Sequence, residues 1–105
     1  WGWSSLGGRI RSPFHAQGEV SGSSGGSAIS TSLGLAAFTL GTQTGHSIVS
    51  PASFAGVVGF KPSPGSVPRD GVIPISLHVD AVGPIANDVQ SARIVYETIS
   101  GRKRT

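Results

Sequence analysis

Two turns rich in Gly, Ser and Thr hold the residues best suited to covalent chemistry. The first is Gly22-Ser23-Ser24-Gly25-Gly26-Ser27-Ala28. The second is Gly41-Thr42-Gln43-Thr44-Gly45-His46-Ser47-Ile48-Val49-Ser50-Pro51, one helix-length segment further on. Glycine lets a tight turn converge several backbone N–H groups on one point. Serines in such turns are hydroxyls held beside those donors. Acyl transfer asks for that combination: a nucleophilic oxygen next to a nest of donors for the developing oxyanion.

The elements that must position these turns are short. A helix is expected from about Gly25 to Phe38, capped by Ser23 or Ser24, with Ala28, Ile29, Leu33, Leu35, Ala36 and Ala37 making it apolar nearly all round; such a helix is buried. Phe38-Thr39-Leu40 reads as a short strand running into the second turn, Gly41 to Ser47. Ser50-Pro51 reads as a helix start with Pro at the first position. Val57 to Phe60 has the β-branched character of a buried strand. Val72-Ile73-Pro74-Ile75 is at best an edge strand because of its Pro, Leu77 to Gly83 is irregular, and Gly83-Pro84 marks a turn. The last helix is the clearest: Asn87 as cap with Gln90 three residues on, Val89, Ala92, Val95, Tyr96 and Ile99 on one face, and Gly101 as stop. Residues 1–22 read mostly as loop, with a short extended piece around Ile10. The class is α/β.

Sixteen Gly, seven Pro and 12% charged residues in 105 suggest backbone that packs inside something larger. The absence of Met and the opening Trp1-Gly2-Trp3 point the same way, so residues 1–105 are expected to be a fragment of a single domain. With no Cys there is no disulfide framework or thiolate metal site. His15, His46 and His78 have no metal-ligand spacing, and no apolar run approaches a membrane span. Arg102-Lys103-Arg104 is read as a solvated terminus and not as a nucleic-acid contact. The working expectation for the compartment is the cytoplasm; no oligomeric state is assigned.

The order and gaps of several motifs resemble the amidase signature family of serine hydrolases. They are the two turns, Pro51-Ala52-Ser53, Gly56-Val57-Val58-Gly59-Phe60-Lys61-Pro62, Gly71-Val72-Ile73-Pro74-Ile75 and Asp80-Ala81-Val82-Gly83-Pro84-Ile85-Ala86. Trp3-Ser4 through Ser12-Pro13-Phe14 is similar to the branch of peptide amidases and fungal amidases. The resemblance implies a partial amidase signature core, a mixed sheet flanked by helices and incomplete in this chain. It implies a Ser–cis-Ser–Lys triad acting on a small-molecule or peptide amide, a carbon–nitrogen bond other than a peptide bond, through an acyl-enzyme and without cofactor. By position, Ser47 is the nucleophile and Ser23 the bridging serine behind a cis Gly22–Ser23 bond, with Ser24 in support. The N–H groups of Thr44, Gly45, His46 and Ser47 line the oxyanion hole. The family's Lys lies further upstream than these residues reach, so the 105-residue chain alone is expected to be inactive. Lys61 falls in a structural motif. Gln43 stands where the family prefers an acid and His46 where Gly is usual, a side chain that could crowd the hole or disfavour a positive φ.

Other readings stand beside this one. A phosphate-binding loop could open the first helix, although Gly26 is followed by Ser27-Ala28 and not by Lys-Ser/Thr. Ser47, His78 and Asp80 could form a Ser-His-Asp triad, His78 and Asp80 sharing a face if extended. A degenerate or truncated amidase-like protein, binding without catalysis, is the non-enzymatic alternative.

Overall fold

The computed structural model describes residues 2–101. A small hairpin opens the chain, β1 (Trp3–Ser4) against β2 (Gly8–Arg9), antiparallel. Its turn is tied by the Gly7 N–H donating to Ser4 Oγ, and Ile10 N–H continues the pairing by donating to the Gly2 carbonyl. The extended piece near Ile10 is thus one arm of this hairpin.

The main body is a three-stranded antiparallel sheet in the order β3 (Phe38–Gln43), β5 (Ala81–Ala86), β4 (Val58–Gly59). Helices α1 (Gly25–Ser32), α2 (Val49–Ala55) and α3 (Val89–Ile99) pack around it, giving the mixed α/β arrangement expected. Val20, Ala28, Ile29, Ile48, Ala55 and Ile85 form the core cluster, with Ile10 and Val57 against it.

Four boundaries differ from expectation, each for a local reason. Helix α1 stops at Ser32, well before Phe38. Gly34 (φ +72°) takes the left-handed position, and the Gly34 and Leu35 N–H groups donate back to the Thr31 and Ser30 carbonyls, a Schellman end. Strand β3 runs on through Gly41, Thr42 and Gln43, whose composition reads as turn, because β5 pairs with each of them. Helix α2 begins two residues before Pro51, whose missing N–H falls among the unpaired donors of the first turn. The cap of α3 is Asp88, whose carboxylate accepts the Ser91 N–H at 2.7 Å; Asn87 instead donates from Nδ2 to the Thr31 carbonyl.

The largest departure is Gly83-Pro84, expected as a turn and found inside the central strand. Leu40 faces Pro84 and Gly41 faces Gly83 across the ladder. A proline lacks the ladder donor, but the loss falls on the β4 side, where β4 has already ended. There Phe60 N–H still donates to the Pro84 carbonyl at 3.0 Å. All six residues of β5 are buried, so both faces of the strand are covered. The segment Val72–Ile75 forms no strand. Among the described residues no helix is long and apolar enough to cross a membrane. Trp1 and Arg102-Lys103-Arg104 lie outside the described residues.

Candidate functional site

The first turn enters from Val20 through Ser21, the one non-glycine with a positive φ (59°) among the described residues. Ser21 is held on both sides: its N–H donates to Glu19 Oε1 at 2.9 Å, and its hydroxyl lies 2.7 Å from that of Ser50. The next peptide bond, Gly22–Ser23, is cis. Ser24 then fastens the turn in two directions. Its N–H donates to the Ser47 carbonyl at 3.1 Å. Its hydroxyl donates to the Thr42 carbonyl and accepts the Thr42 N–H, both at 3.2 Å. Gly41 makes room for this, since a Cβ there would sit 2.8 Å from Ser24 Oγ. The two serine turns are therefore adjacent in space: the residue after Ser23 is bonded to the backbone of Ser47. Ser23 is exposed and Ser47 half-buried.

The second turn leaves β3 at Gln43 and enters α2 at Val49. Gln43, buried in the corner, spans it. Its Oε1 accepts the N–H groups of Ile48 (2.8 Å) and Val49 (2.9 Å), and its Nε2 donates to the Gly45 carbonyl (2.9 Å). Ser50 N–H donates to the His46 carbonyl at 2.9 Å, so the helical winding starts within the turn. His46 is exposed and its φ is not positive, so the side chain in place of the usual Gly is accommodated without that backbone strain.

Thr44 opens the turn and is anchored from below. Its hydroxyl donates to Asp80 Oδ1 at 2.5 Å, while Asp80 Oδ2 accepts the Ile75 and Ser76 N–H groups at 2.8 and 2.9 Å. The Thr44 hydroxyl bond leads in holding this carboxyl below its ordinary value. Desolvation opposes it; the two N–H bonds and the charge of Arg69 add to it. Arg69 also donates to the Leu77 and Asp80 carbonyls, fixing the loop that carries Asp80.

Both Asp80 oxygens are thus taken by Thr44, Ile75 and Ser76. The Ser47–His78–Asp80 trio finds no His78–Asp80 hydrogen bond to relay a proton. Among the described residues no group of three or more His, Cys, Asp or Glu could hold a metal ion. The first turn opens a helix, yet Ser24 carries no side-chain cap bond and the first helical residues are glycines, followed by Ser27-Ala28 and not by the Lys-Ser/Thr of a phosphate-binding loop.

Two shallow concavities meet at Ser23. One, of about 390 Å³, also touches Trp3 and Ile10; the other, of about 370 Å³, touches Leu40, Val72 and Val82. Ser23 lines both. The roles of Gln43 and Asp80 are not legible from their own residue types. Gln43 stands out in the sequence only as a departure from an acid, and Asp80 only as a possible triad member. A buried polar residue flanking a turn is the one available signal, and burial is set by the sheet.

The family model for Amidase matches residues 2–105. The native peptide amidase of Stenotrophomonas maltophilia superposes with a TM-score of 0.93 at 47% identity, over 97% of this chain and 21% of that one. An amidase family protein from Bacillus anthracis superposes at 0.92 with 36% identity, over 98% and 21%. A provisionally named amidase of Arthroderma benhamiae is 45% identical over 101 residues, 96% of this chain and 17% of its own length. The chain thus spans about a fifth of the length of the relatives it matches.

Proposed function

The chain belongs to the amidase family, and from that premise we propose that it supplies the two serines of a Ser–cis-Ser–Lys amidase. Ser47 Oγ attacks the carbonyl carbon of an amide. Its proton passes through the Ser23 hydroxyl to a Lys contributed by residues outside this chain. The N–H groups of Thr44, Gly45, His46 and Ser47 receive the oxyanion, each such donor being worth about 2.7–4 kcal/mol in the transition state. The tetrahedral adduct collapses by breaking the C–N bond as the amine takes up a proton. The remaining Ser47 ester is then hydrolysed by water. The substrate is a small-molecule or peptide amide, and the chain in isolation is inactive because a serine needs an adjacent base at neutral pH.

The observation that carries this reading is the Ser24 N–H to Ser47 carbonyl bond, which seats the Ser23 turn on the Ser47 turn. The full occupation of Asp80 favours a Lys over a His-Asp pair as the source of the base. The test is amide hydrolysis by the parent protein, with a C-terminal peptide amide as substrate. Ser47→Ala is expected to lower kcat by about 10³-fold or more, and Ser23→Ala comparably, because members of one proton-relay unit are strongly non-additive. Turnover undiminished in Ser47→Ala removes it from the nucleophile role.

A further inference from the structure

We propose that Gln43 is a positioning residue for the nucleophile turn, its one side chain tying the backbone before Ser47 to the backbone after it. The inference rests on the reading of Ser47 as nucleophile. Gln43 is 6% exposed and is the last residue of β3, opposite Ala81 of β5, so the root of its side chain is fixed by the sheet. Its acceptor end takes the N–H groups of Ile48 and Val49, and its donor end reaches the Gly45 carbonyl. These bonds flank Ser47 on both sides. They set how far the chain opens between Gly45 and Ile48, and hence where the Gly45–Ser47 amides point.

A primary amide fills both ends of this brace, whereas the acid usual in the family would fill the accepting end alone. A carboxamide offers an acceptor and a donor at once, an ionised carboxylate only accepts, and an alkyl chain does neither. An ionised acid in this place would keep the two N–H bonds and set a negative oxygen against the Gly45 carbonyl. Only its protonated form has a hydrogen to give. The glutamine makes the brace independent of pH. Helices α1 and α2 and strands β3 and β5 around it contain no ionisable side chain. Helix α3 contributes Arg93, Tyr96 and Glu97, of which Arg93 and Glu97 pair with each other. The ionisable groups in the adjoining turns are His46, Asp80, which is occupied with Thr44, and Arg69, which donates to the Leu77 and Asp80 carbonyls.

The test compares the parent protein with its Gln43→Ala and Gln43→Glu variants. Two quantities are read: backbone hydrogen exchange at Ile48 and Val49, and kcat and KM for a C-terminal peptide amide from about pH 3.5 to 9, a range that spans the ordinary Glu value of about 4.3. Gln43→Ala is expected to speed exchange at both amides about tenfold or more. It should also lower kcat by about 10–100-fold with KM little changed, the cost of misplacing reacting groups by an ångström or less. Gln43→Glu is expected to lose kcat relative to wild type progressively as its carboxyl ionises with rising pH, and to approach wild type again at the acidic end. A structural role alone would lower stability without that pH-dependent ratio. Unchanged exchange in both variants overturns the proposal, as does a kcat ratio that stays near one across the pH range. Rapid exchange of Ile48 and Val49 in the wild type overturns it even if neither variant folds. A wild type with protected, Gln43-dependent amides and no amide hydrolysis upholds the brace and removes the amidase reading.

Discussion

Asp80 and Gln43 show how much of a site made of serines rests on residues that are not serines. Asp80 is a buried carboxylate with three donors, and its folded pKa is lowered chiefly by the Thr44 hydroxyl. A carboxyl depressed in the folded state contributes stability above its unfolded pKa, and that contribution is lost as pH falls through the folded value. Asp80→Asn in the parent protein should therefore melt lower than wild type at pH 7. The gap should narrow as pH is taken below the ordinary carboxylate range of about 4. Thermal melts from pH 7 to pH 3 check this, and a constant gap would mean that the charge itself contributes nothing. The Thr44 anchor also explains why the oxyanion-hole residues can be proposed from the sequence while their support cannot. Backbone donors are implied by glycine and turn composition, whereas a side chain 36 positions away is joined to them only by the fold.

At the scale of elements, the decisive contacts are made where the chain has no side chain. A Cβ on Gly83 would lie 2.0 Å from the Phe60 carbonyl oxygen, 2.9 Å from Pro62 Cδ and 3.1 Å from Ile48 Cδ1. Because the nearest of these is backbone, Gly83→Ala must displace β4 or β5 and is expected to cost about 3 kcal/mol or more. Gly34 has the opposite character: a Cβ there meets nothing within 4 Å, but φ is +72°. Gly34→Ala should therefore cost only the conformational strain of about 1–2 kcal/mol. Denaturant melts of the two parent-protein variants test the ordering, and equal losses would mean that the β4–β5 crowding is relieved elsewhere. The same contrast explains why Gly83-Pro84 departs from its turn-like composition. Its place in the central strand depends on β4 stopping short and on Phe60 closing over Gly83.

At the scale of the molecule, the core is built from small aliphatic residues, and the largest fully buried side chains are Ile48 and Ile85. Trp3, Phe14, Phe38, Phe54 and Phe60 are exposed and Tyr96 is half-buried. An apolar hollow of about 360 Å³ opens between Phe60, Val89, Ala92 and Tyr96, although Phe60 and Tyr96 already meet edge to face with ring centroids 5.0 Å apart. With relatives about five times as long, this much exposed apolar surface is what a section of a larger domain presents. The 105 residues expressed alone are expected to bind a hydrophobic dye and to self-associate. Sedimentation of a dye-silent monomer would contradict this. Residue type and order were enough to determine the α/β class, the two serine turns, the helix after Asn87 and the likeness to the amidase family. Glycine, capping residues and apolar periodicity act within a few positions and can be read there. Only the tertiary structure decided where α1 stops short of Phe38, that β3 continues to Gln43 and that Gly83-Pro84 lies inside a strand. It also decided that Gln43 and Asp80 support the turn around Ser47. Each of these depends on a hydrogen-bond partner or a neighbouring backbone brought close by packing, which no local pattern of residues encodes.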